Sequence, residues 1–343
     1  MASDSGVGTE AYLGALEARA GDAPALEAST QLELLLVVAP QVVLYPGATL
    51  PMRAPRHSAL EVLLRSSGDA LLAVSSNQPT AGDVCCVARL ERAAPLADNA
   101  TELVAVARGV ARGTVLALRP GGVLLSVLPE AADRPQQPPM MSAHAHASVW
   151  RSHRPEALAA RLRAAPALLA VADAASLASL TPAELSWAAA SKLPLDACER
   201  RALLQEPSAA VRLHRLLVLV SEDAVLRCAS CGVHWASGED VVASGATDAF
   251  VNAHGYVHDM CTVSTARNLF VQGRPTAQDS WFAGHAWQIA SCRACLAHAG
   301  WLFTAVPHAT ELPHLPAAFW GLRRGAFTHA ARHAATPETS ARE

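Results

Sequence analysis

Two short cysteine motifs, Cys228-Ala229-Ser230-Cys231 and Cys292-Arg293-Ala294-Cys295, constrain the fold of this 343-residue chain more than any other feature. Each pair sets two thiolates close enough to share one tetrahedral ion, and two pairs complete a four-sulfur site of the Zn2+ type. Residues 232 to 291 separate them, too many for a simple ribbon finger. The ion is therefore expected to join two hairpins that meet only in the folded chain. Four thiolates leave the metal no open position, so a single structural Zn2+ is expected, with no Lewis-acid role. Two independent reduced pairs or a redox dithiol is the other reading, and the repetition of the motif argues against it. The remaining cysteines, Cys85, Cys86, Cys198 and Cys261, are then expected as buried small apolar side chains.

The cysteines need a reducing compartment to serve as ligands. Residues 1–30 carry Asp4, Glu10, Glu17 and Asp22 with no basic stretch leading into an apolar one, so they do not read as a secretory signal but as a disordered acidic tail. Runs such as Leu32 to Val38 and Leu213 to Val220 are far shorter than the roughly 20 residues that span a bilayer. The expectation is a cytoplasmic or nuclear protein with no membrane partner. The net charge is −3 and the arginines are scattered among acids, so no positive face for direct nucleic-acid binding is predicted. Lys192 is the single lysine, which rules out a phosphate-binding GxxxxGK[ST] loop and leaves no Schiff-base candidate in view.

The pattern along the chain predicts an α+β protein in the order β, α, β. From Gln31 to about Pro129, apolar runs at 34–38, 42–44, 70–74, 84–87, 103–106 and 115–118 alternate with turn signals and predict strands, interrupted by one short helix over 57–66. Pro135, Pro138 and Pro139 mark a linker. From about 148 to 222 the period becomes helical: Leu158 and Leu162 share a stripe, Asp196 and Glu199 suggest a capping box, and Pro207-Ser208 restarts a helix through Val211, Leu213, Leu216, Leu217 and Leu219. Short strand-like runs return after Cys228. The predicted divisions are 1–30, 31–140, 141–222, 223–330 and a second disordered tail at 331–343.

Trp281, Trp287, Trp301 and Phe303 crowd into one stretch of a chain whose aromatic fraction is only 5%. Packing around the metal explains them, and so does an aromatic cage closing on a small flat ligand. Asn252-Ala253-His254-Gly255 is a turn-forming tetrapeptide that would bring polar groups to such a cage or simply close a hairpin. Composition leaves both readings open.

The run Phe250-Val251-Asn252-Ala253-His254-Gly255-Tyr256-Val257-His258, then Gly273-Arg274-Pro275, Ser280-Trp281-Phe282, Ala286-Trp287 and Gly300-Trp301-Leu302-Phe303-Thr304, closely resembles the cereblon family. The likeness continues through Phe319-Trp320-Gly321-Leu322 and spans nearly all of residues 225 to 328, the CULT or thalidomide-binding domain of that family, a zinc-stapled β-tent. It implies that Trp281, Trp287 and Trp301 form a cage for a glutarimide ring, with Phe303 at the floor, Asn252 alongside, Asp279 at the rim and His254 on a sensor hairpin. Leu44-Tyr45-Pro46-Gly47-Ala48-Thr49-Leu50-Pro51-Met52 resembles the opening of the family's β-rich Lon-like N-terminal domain. The helical segment around Leu193-Pro194-Leu195-Asp196 is similar to the α-helical bundle that docks on a β-propeller adaptor, the damage-specific DNA-binding protein subunit of a cullin-RING ubiquitin ligase. Two positions depart from the family pattern. Asp279 stands where a histidine is usual, and Ala253 replaces a proline, freeing φ in the hairpin.

The resemblance implies a non-catalytic substrate receptor that takes cyclic imides, or client proteins ending in one, for ubiquitination and degradation. A small-molecule sensor or scaffold with no ligase connection uses the same pocket. A methionine sulfoxide reductase-like enzyme shares the zinc-stapled β fold but requires a reactive thiolate beside the aromatic wall, and no cysteine follows Cys295.

Overall fold

The computed structural model describes residues 11–13, 16–18, 26–65, 70–96, 99–129, 153–221, 224–243, 249–307 and 315–331. The fold is α+β, with sheet, then helices, then sheet in chain order. The predicted linker at 133–139 lies outside the described residues, as do most of the two predicted tails. Within the first of these, Ala11–Leu13 forms a 3-10 turn with Leu13 buried, and β1 (Glu17–Ala18) pairs in a sheet.

The N-terminal sheet contains β1, β2 (Gln31–Val38), β3 (Thr49–Pro55), β4 (Leu71–Ser75), β5 (Val84–Leu96), β6 (Asn99–Arg119) and β7 (Gly122–Leu128). Its order is β1-β5-β4-β2-β7-β6-β3, and the further pairing of β5 with β6 closes β5, β4, β2, β7 and β6 into a barrel. Only β2 and β4 run parallel, and α1 (Ala59–Arg65) lies in the connection between β3 and β4. Two predicted strands, 103–106 and 115–118, are one continuous β6 of 21 residues. Gly109 does not break it but allows a close approach, since a Cβ there would lie 2.2 Å from the Tyr45 carbonyl oxygen. The predicted strand at 42–44 is irregular chain instead. Val42 and Leu44 pack into the barrel core while Val43 faces the helical core, an alternation that the two layers impose without a ladder.

The helices are α2 (Pro155–Arg163), α3 (Pro166–Leu169), α4 (Ala174–Ala178), α5 (Pro182–Lys192), α6 (Ala197–Gln205) and α7 (Ala209–Ser221). Asp196 caps α6 through bonds from Cys198 N and Glu199 N, but Glu199 reaches Arg215 rather than completing the box. The reciprocal box belongs to Thr181 and Glu184 at the start of α5. Cys198 is exposed, contrary to expectation, because the first turn of α6 points it outward; Cys85, Cys86 and Cys261 are buried. None of these helices is long and apolar enough to cross a membrane.

Two antiparallel sheets follow. The first joins β8 (Ala224–Cys228), β9 (His234–Ser237) and β16 (Phe327–Ala331) in the order β16-β8-β9. The second contains β10 (Ala249–Val251), β11 (Val257–Val263), β12 (Leu269–Thr276), β13 (His285–Cys292), β14 (His298–Ala305) and β15 (Ala318–Arg323), ordered β10-β11-β15-β14-β13-β12. Buried charge fastens these sheets to the rest. Asp259 on β11 accepts from Arg324 Nε at 3.0 Å and stands 3.3 Å from Arg200 Nε of α6. The two guanidinium groups also donate to the carbonyls of Val43, Ala190, Ser191, Leu193 and Leu195. Arg200 lies over the Tyr45 ring, Tyr45 stacks on Trp187, and Arg212 sits 3.7 Å above Trp187.

Candidate functional site

Both cysteine motifs occupy hairpin turns: Cys228 and Cys231 between β8 and β9, Cys292 and Cys295 between β13 and β14. The turns are near copies. The carbonyl of the first cysteine accepts from the residue four ahead (Gly232 N, 2.8 Å; Leu296 N, 2.9 Å), and its N–H donates to the residue five ahead (Val233 O, 2.9 Å; Ala297 O, 2.8 Å). The residue four ahead has a left-handed backbone in both, φ 74° at Gly232 and 64° at Leu296.

This geometry brings the four sulfur atoms within 4.8 Å of one another, with Cys228 to Cys295 at 3.6 Å and Cys231 to Cys292 at 3.7 Å. Those separations are far beyond the roughly 2.05 Å of a disulfide. Sulfurs about 2.3 Å from a tetrahedral zinc ion would stand about 3.8 Å apart, so the set fits a metal ion. Cys228 and Cys292 are buried, whereas Cys231 is exposed. Burial pushes the Cys292 thiol up, but the N–H groups of Cys295, Ala294 and the Trp235 indole, with the Cys231 side chain, bring it down to about 6. A divalent cation would hold all four sulfurs as thiolates.

The aromatic residues gather on the face of the six-stranded sheet nearest β10. Trp281 and Trp301 meet edge to face, 4.9 Å between centroids and 80° between planes. Beneath them Phe303, 1% exposed, stacks on Phe319 and receives the edge of Phe282. Opposite Trp301 in the sheet is Gly321, where a Cβ would crowd Phe303 at 3.1 Å. The indole N–H of Trp281 donates to Val251 O at 3.0 Å and that of Trp287 to Gln278 O at 2.9 Å. Both rings are consequently fixed by their polar edges, and Trp281 is further covered by Phe250, stacked 5.5 Å away. Trp287 is half-buried against the same cluster.

Asn252 lies beside this cluster but serves its own turn, its Oδ1 accepting from His254 N and Tyr256 N at 3.0 Å each. His254 is exposed on the hairpin between β10 and β11, and Asp279 is exposed on the β12–β13 loop with φ 54°. Trp281 therefore meets both Trp301 and Phe303, while Asn252 and His254 lie on the β10–β11 hairpin and Asp279 on the β12–β13 loop.

Sequence reasoning missed His258. Its ring lies 4.9 Å from Trp301 and 5.5 Å from Trp281, and its Nε2 is 3.5 Å from Asn252 Nδ2. Burial first, then Arg323 and His298, lower its pKa to about 4, so it is a neutral ring at physiological pH. The available signal was its place two residues after the hairpin's Tyr256, on the strand that faces the tryptophans. Cys261, which lies outside the two cysteine motifs, packs in the separate core shared with the helices. A cavity of about 160 Å³ lies elsewhere, between Val42–Leu44, the Ser75–Asn77 turn and α6, and holds none of the predicted site residues.

Over 150 residues, 43% of its length, this chain is 41% identical to Protein cereblon of Xenopus tropicalis and 40% identical to that of Danio rerio. In that stretch it is similar to the cereblons. Protein cereblon of Drosophila virilis matches at 30% over 147 residues. The chain spans about a third of the length of the vertebrate cereblons it matches, 33% and 34% respectively. No family model matches. Among solved structures, the N-terminal domain of Mycobacterium avium complex Lon protease aligns at TM-score 0.40 and 18% identity, over 56% of this chain and 98% of that one. A Lon N-terminal domain protein from Xanthomonas campestris aligns at TM-score 0.36 and 24% identity, over 55% and 98%. These two alignments bear on no functional assignment.

Proposed function

We propose that this chain is a non-catalytic, cereblon-like substrate receptor of a cullin-RING ubiquitin ligase, taking cyclic imides of the glutarimide type, or protein termini that carry one, between Trp281, Trp287 and Trp301. The observation that carries the reading is the fixing of two indole N–H groups on backbone carbonyls above a Phe303 floor. Such a wall desolvates a flat ring, and backbone groups of the Asp279–Trp281 loop would meet its N–H and carbonyls. In this reading one zinc ion on Cys228, Cys231, Cys292 and Cys295 is structural, His254 senses the occupant from the hairpin, and Asn252 keeps that hairpin closed. The helical segment within 141–222 would dock on the β-propeller adaptor. Val211 and Val218, one heptad apart on α7, are both exposed, as such a contact requires. The protein would work in the cytoplasm or nucleus.

Titration of a fluorescent glutarimide against wild type and Trp287→Ala tests the pocket, with zinc content measured in both. The expected result is at least about a tenfold loss of affinity in the variant at equal zinc content, the size of a lost aromatic wall. Equal affinity would remove the cage. Copurification of the propeller adaptor with wild type, and its loss from Val211→Asp/Val218→Asp, tests the ligase connection separately.

A further inference from the structure

The cavity of about 160 Å³ where the barrel meets α6 includes no residue of the aromatic wall or of the cysteine turns. Its lining changes from inside to outside. Val42, Leu44 and Val74 are 2%, 4% and 2% exposed and form an apolar floor. Asp83 and Arg201 are half-buried above it, and Asn77 and Gln205 are exposed at the solvent side. Apolar walls under a few polar groups that fix orientation are the pattern of a small-molecule site.

Rigid elements hold the two charges. Asp83 closes the turn before β5: its Oδ2 accepts from Thr80 N at 2.7 Å and Thr80 Oγ1 at 2.9 Å, and its carbonyl accepts from Val115 N at 2.8 Å. Its Oδ1 takes no hydrogen bond among the described residues. Arg201 shares one face of α6 with Leu204 and Gln205, three and four residues on. That helix is pinned, because Arg200 is held by Asp259 and the Leu204 carbonyl accepts from Arg112 Nη1 at 3.0 Å. Unlike Arg200, Arg201 makes no hydrogen bond or ion pair among the described residues, so the two charges of the cavity do not neutralise each other.

An occupant that matches both charges is a zwitterion. A guanidinium fork takes a carboxylate in paired charge-assisted bonds, and the remaining Asp83 oxygen takes an ammonium. A simple fatty acid would set a second carboxylate near Asp83, and a simple amine would set a second cation near Arg201. The body between the charges must be apolar and small. Benzene fills an engineered cavity of about 150 Å³, so a branched side chain of about four carbons suits this floor while its charged head occupies the mouth.

We propose that this cavity binds a free aliphatic α-amino acid of valine to leucine size, with its side chain toward Val42, Leu44 and Val74, its carboxylate on Arg201 and its ammonium on Asp83.

Calorimetric titration of the full chain with L-leucine tests the site. A dissociation constant below about 1 mM is expected, within reach of a ligand of about nine heavy atoms. 4-Methylpentanoate lacks the ammonium and 3-methylbutylamine lacks the carboxylate; each should bind at least about tenfold more weakly, the size of one lost charge-assisted hydrogen bond. Arg201→Gln surrenders no internal partner and should melt with wild type, yet lose about tenfold in leucine affinity while leaving the amine unaffected. Asp83→Asn should do the converse, weakening leucine and not 4-methylpentanoate. No saturable binding of leucine at about ten times the expected constant would overturn the site. Equal affinity for leucine and 4-methylpentanoate would overturn the free amino acid in favour of a plain carboxylate such as a peptide C-terminus. Leucine binding that a folded Arg201→Gln leaves intact would overturn the assignment to this cavity. Glutarimide titration reads the aromatic cage separately, so neither result decides the other.

Discussion

The four-cysteine centre ties the β8–β9 turn to the β13–β14 turn, while Asp259 with Arg200 and Arg324 ties β11 to α6 and the end of α5. Both join segments far apart in sequence, and both are buried at least in part. They differ in what completes them. The arginine cluster contains its own cations, its own carboxylate and a ring of backbone carbonyls, so its charges are matched inside the chain. The cysteine cluster contains only acids. Its four sulfurs could hold a metal ion, and the matching cation would then have to come from outside the chain.

Chelation separates the two most widely. Structural zinc contributes apparent energies of about 10–16 kcal/mol in small zinc domains, more than a typical domain's whole stability. Removing the ion is expected to abolish the near-ultraviolet circular dichroism of Trp281 and Trp301, and glutarimide binding with it. Amide protection of the β5–β6 ladder should survive. A tryptophan signal indifferent to the chelator would show that the cysteine turns hold without metal.

Asp259→Asn attacks the other region and should have the next largest effect. It preserves shape but leaves two guanidinium groups, 4% and 1% exposed, without their counter-charge. Breaking one side of a buried ion pair costs about 3–5 kcal/mol. Urea unfolding should show this as a lower midpoint, irrespective of zinc. A loss below about 1 kcal/mol would mean that the carbonyls alone satisfy the arginines.

The same contrast governs how much of the molecule the sequence disclosed. The cysteine pairs were legible because metal ligation needs a fixed local spacing, and that spacing is printed in consecutive residues. The order β, α, β was legible for a similar reason, since periodicity is a local property. Arg112, Arg200, Arg212 and Arg324 carried no local signal of burial, because each finds a partner tens of positions away. Val42 to Leu44 read as a strand because it is apolar, yet the Val43 carbonyl serves Arg200 and not a ladder. The runs at 103–106 and 115–118 read as two strands, whereas Gly109 and Gly113 between them belong to one β6 and relieve crowding against Tyr45 and Leu125. Asn252 was placed at the pocket on a resemblance; the turn that consumes its side-chain oxygen is visible only in three dimensions.

A smaller effect concerns the pocket wall. His258 has a folded pKa of about 4 against about 6.5 for an unfolded histidine. Because the unfolded chain binds the proton first, His258 contributes stability that is complete above about pH 6.5 and lost as pH falls toward 4. Arg323, His298 and Asn252 face it, and burial lowers His298 in the same direction. Urea midpoints measured between pH 7 and 4.5 should therefore fall less steeply in His258→Phe than in wild type, without becoming flat. Parallel slopes would mean that the ring takes up a proton without disturbing the wall.

The smallest effect concerns the likeness of the two cysteine turns. Leu296 occupies the left-handed position that Gly232 fills in the other turn, and its side chain is 69% exposed, so little packing compensates for the strained backbone. A left-handed conformation costs an L-residue about 1–2 kcal/mol, while glycine forfeits about 0.5–1 kcal/mol through the freedom of its unfolded chain. Leu296→Gly should on balance stabilise the metal-loaded protein by about 0.5–1 kcal/mol. Gly232→Leu should destabilise it by a similar amount or more, even though a Cβ at position 232 meets nothing within 4 Å. Melting curves of both variants at saturating zinc would decide the matter. If Leu296→Gly lowers the melting temperature instead, the exposed leucine has a partner outside this chain's own turn, and the two turns are copies in backbone only.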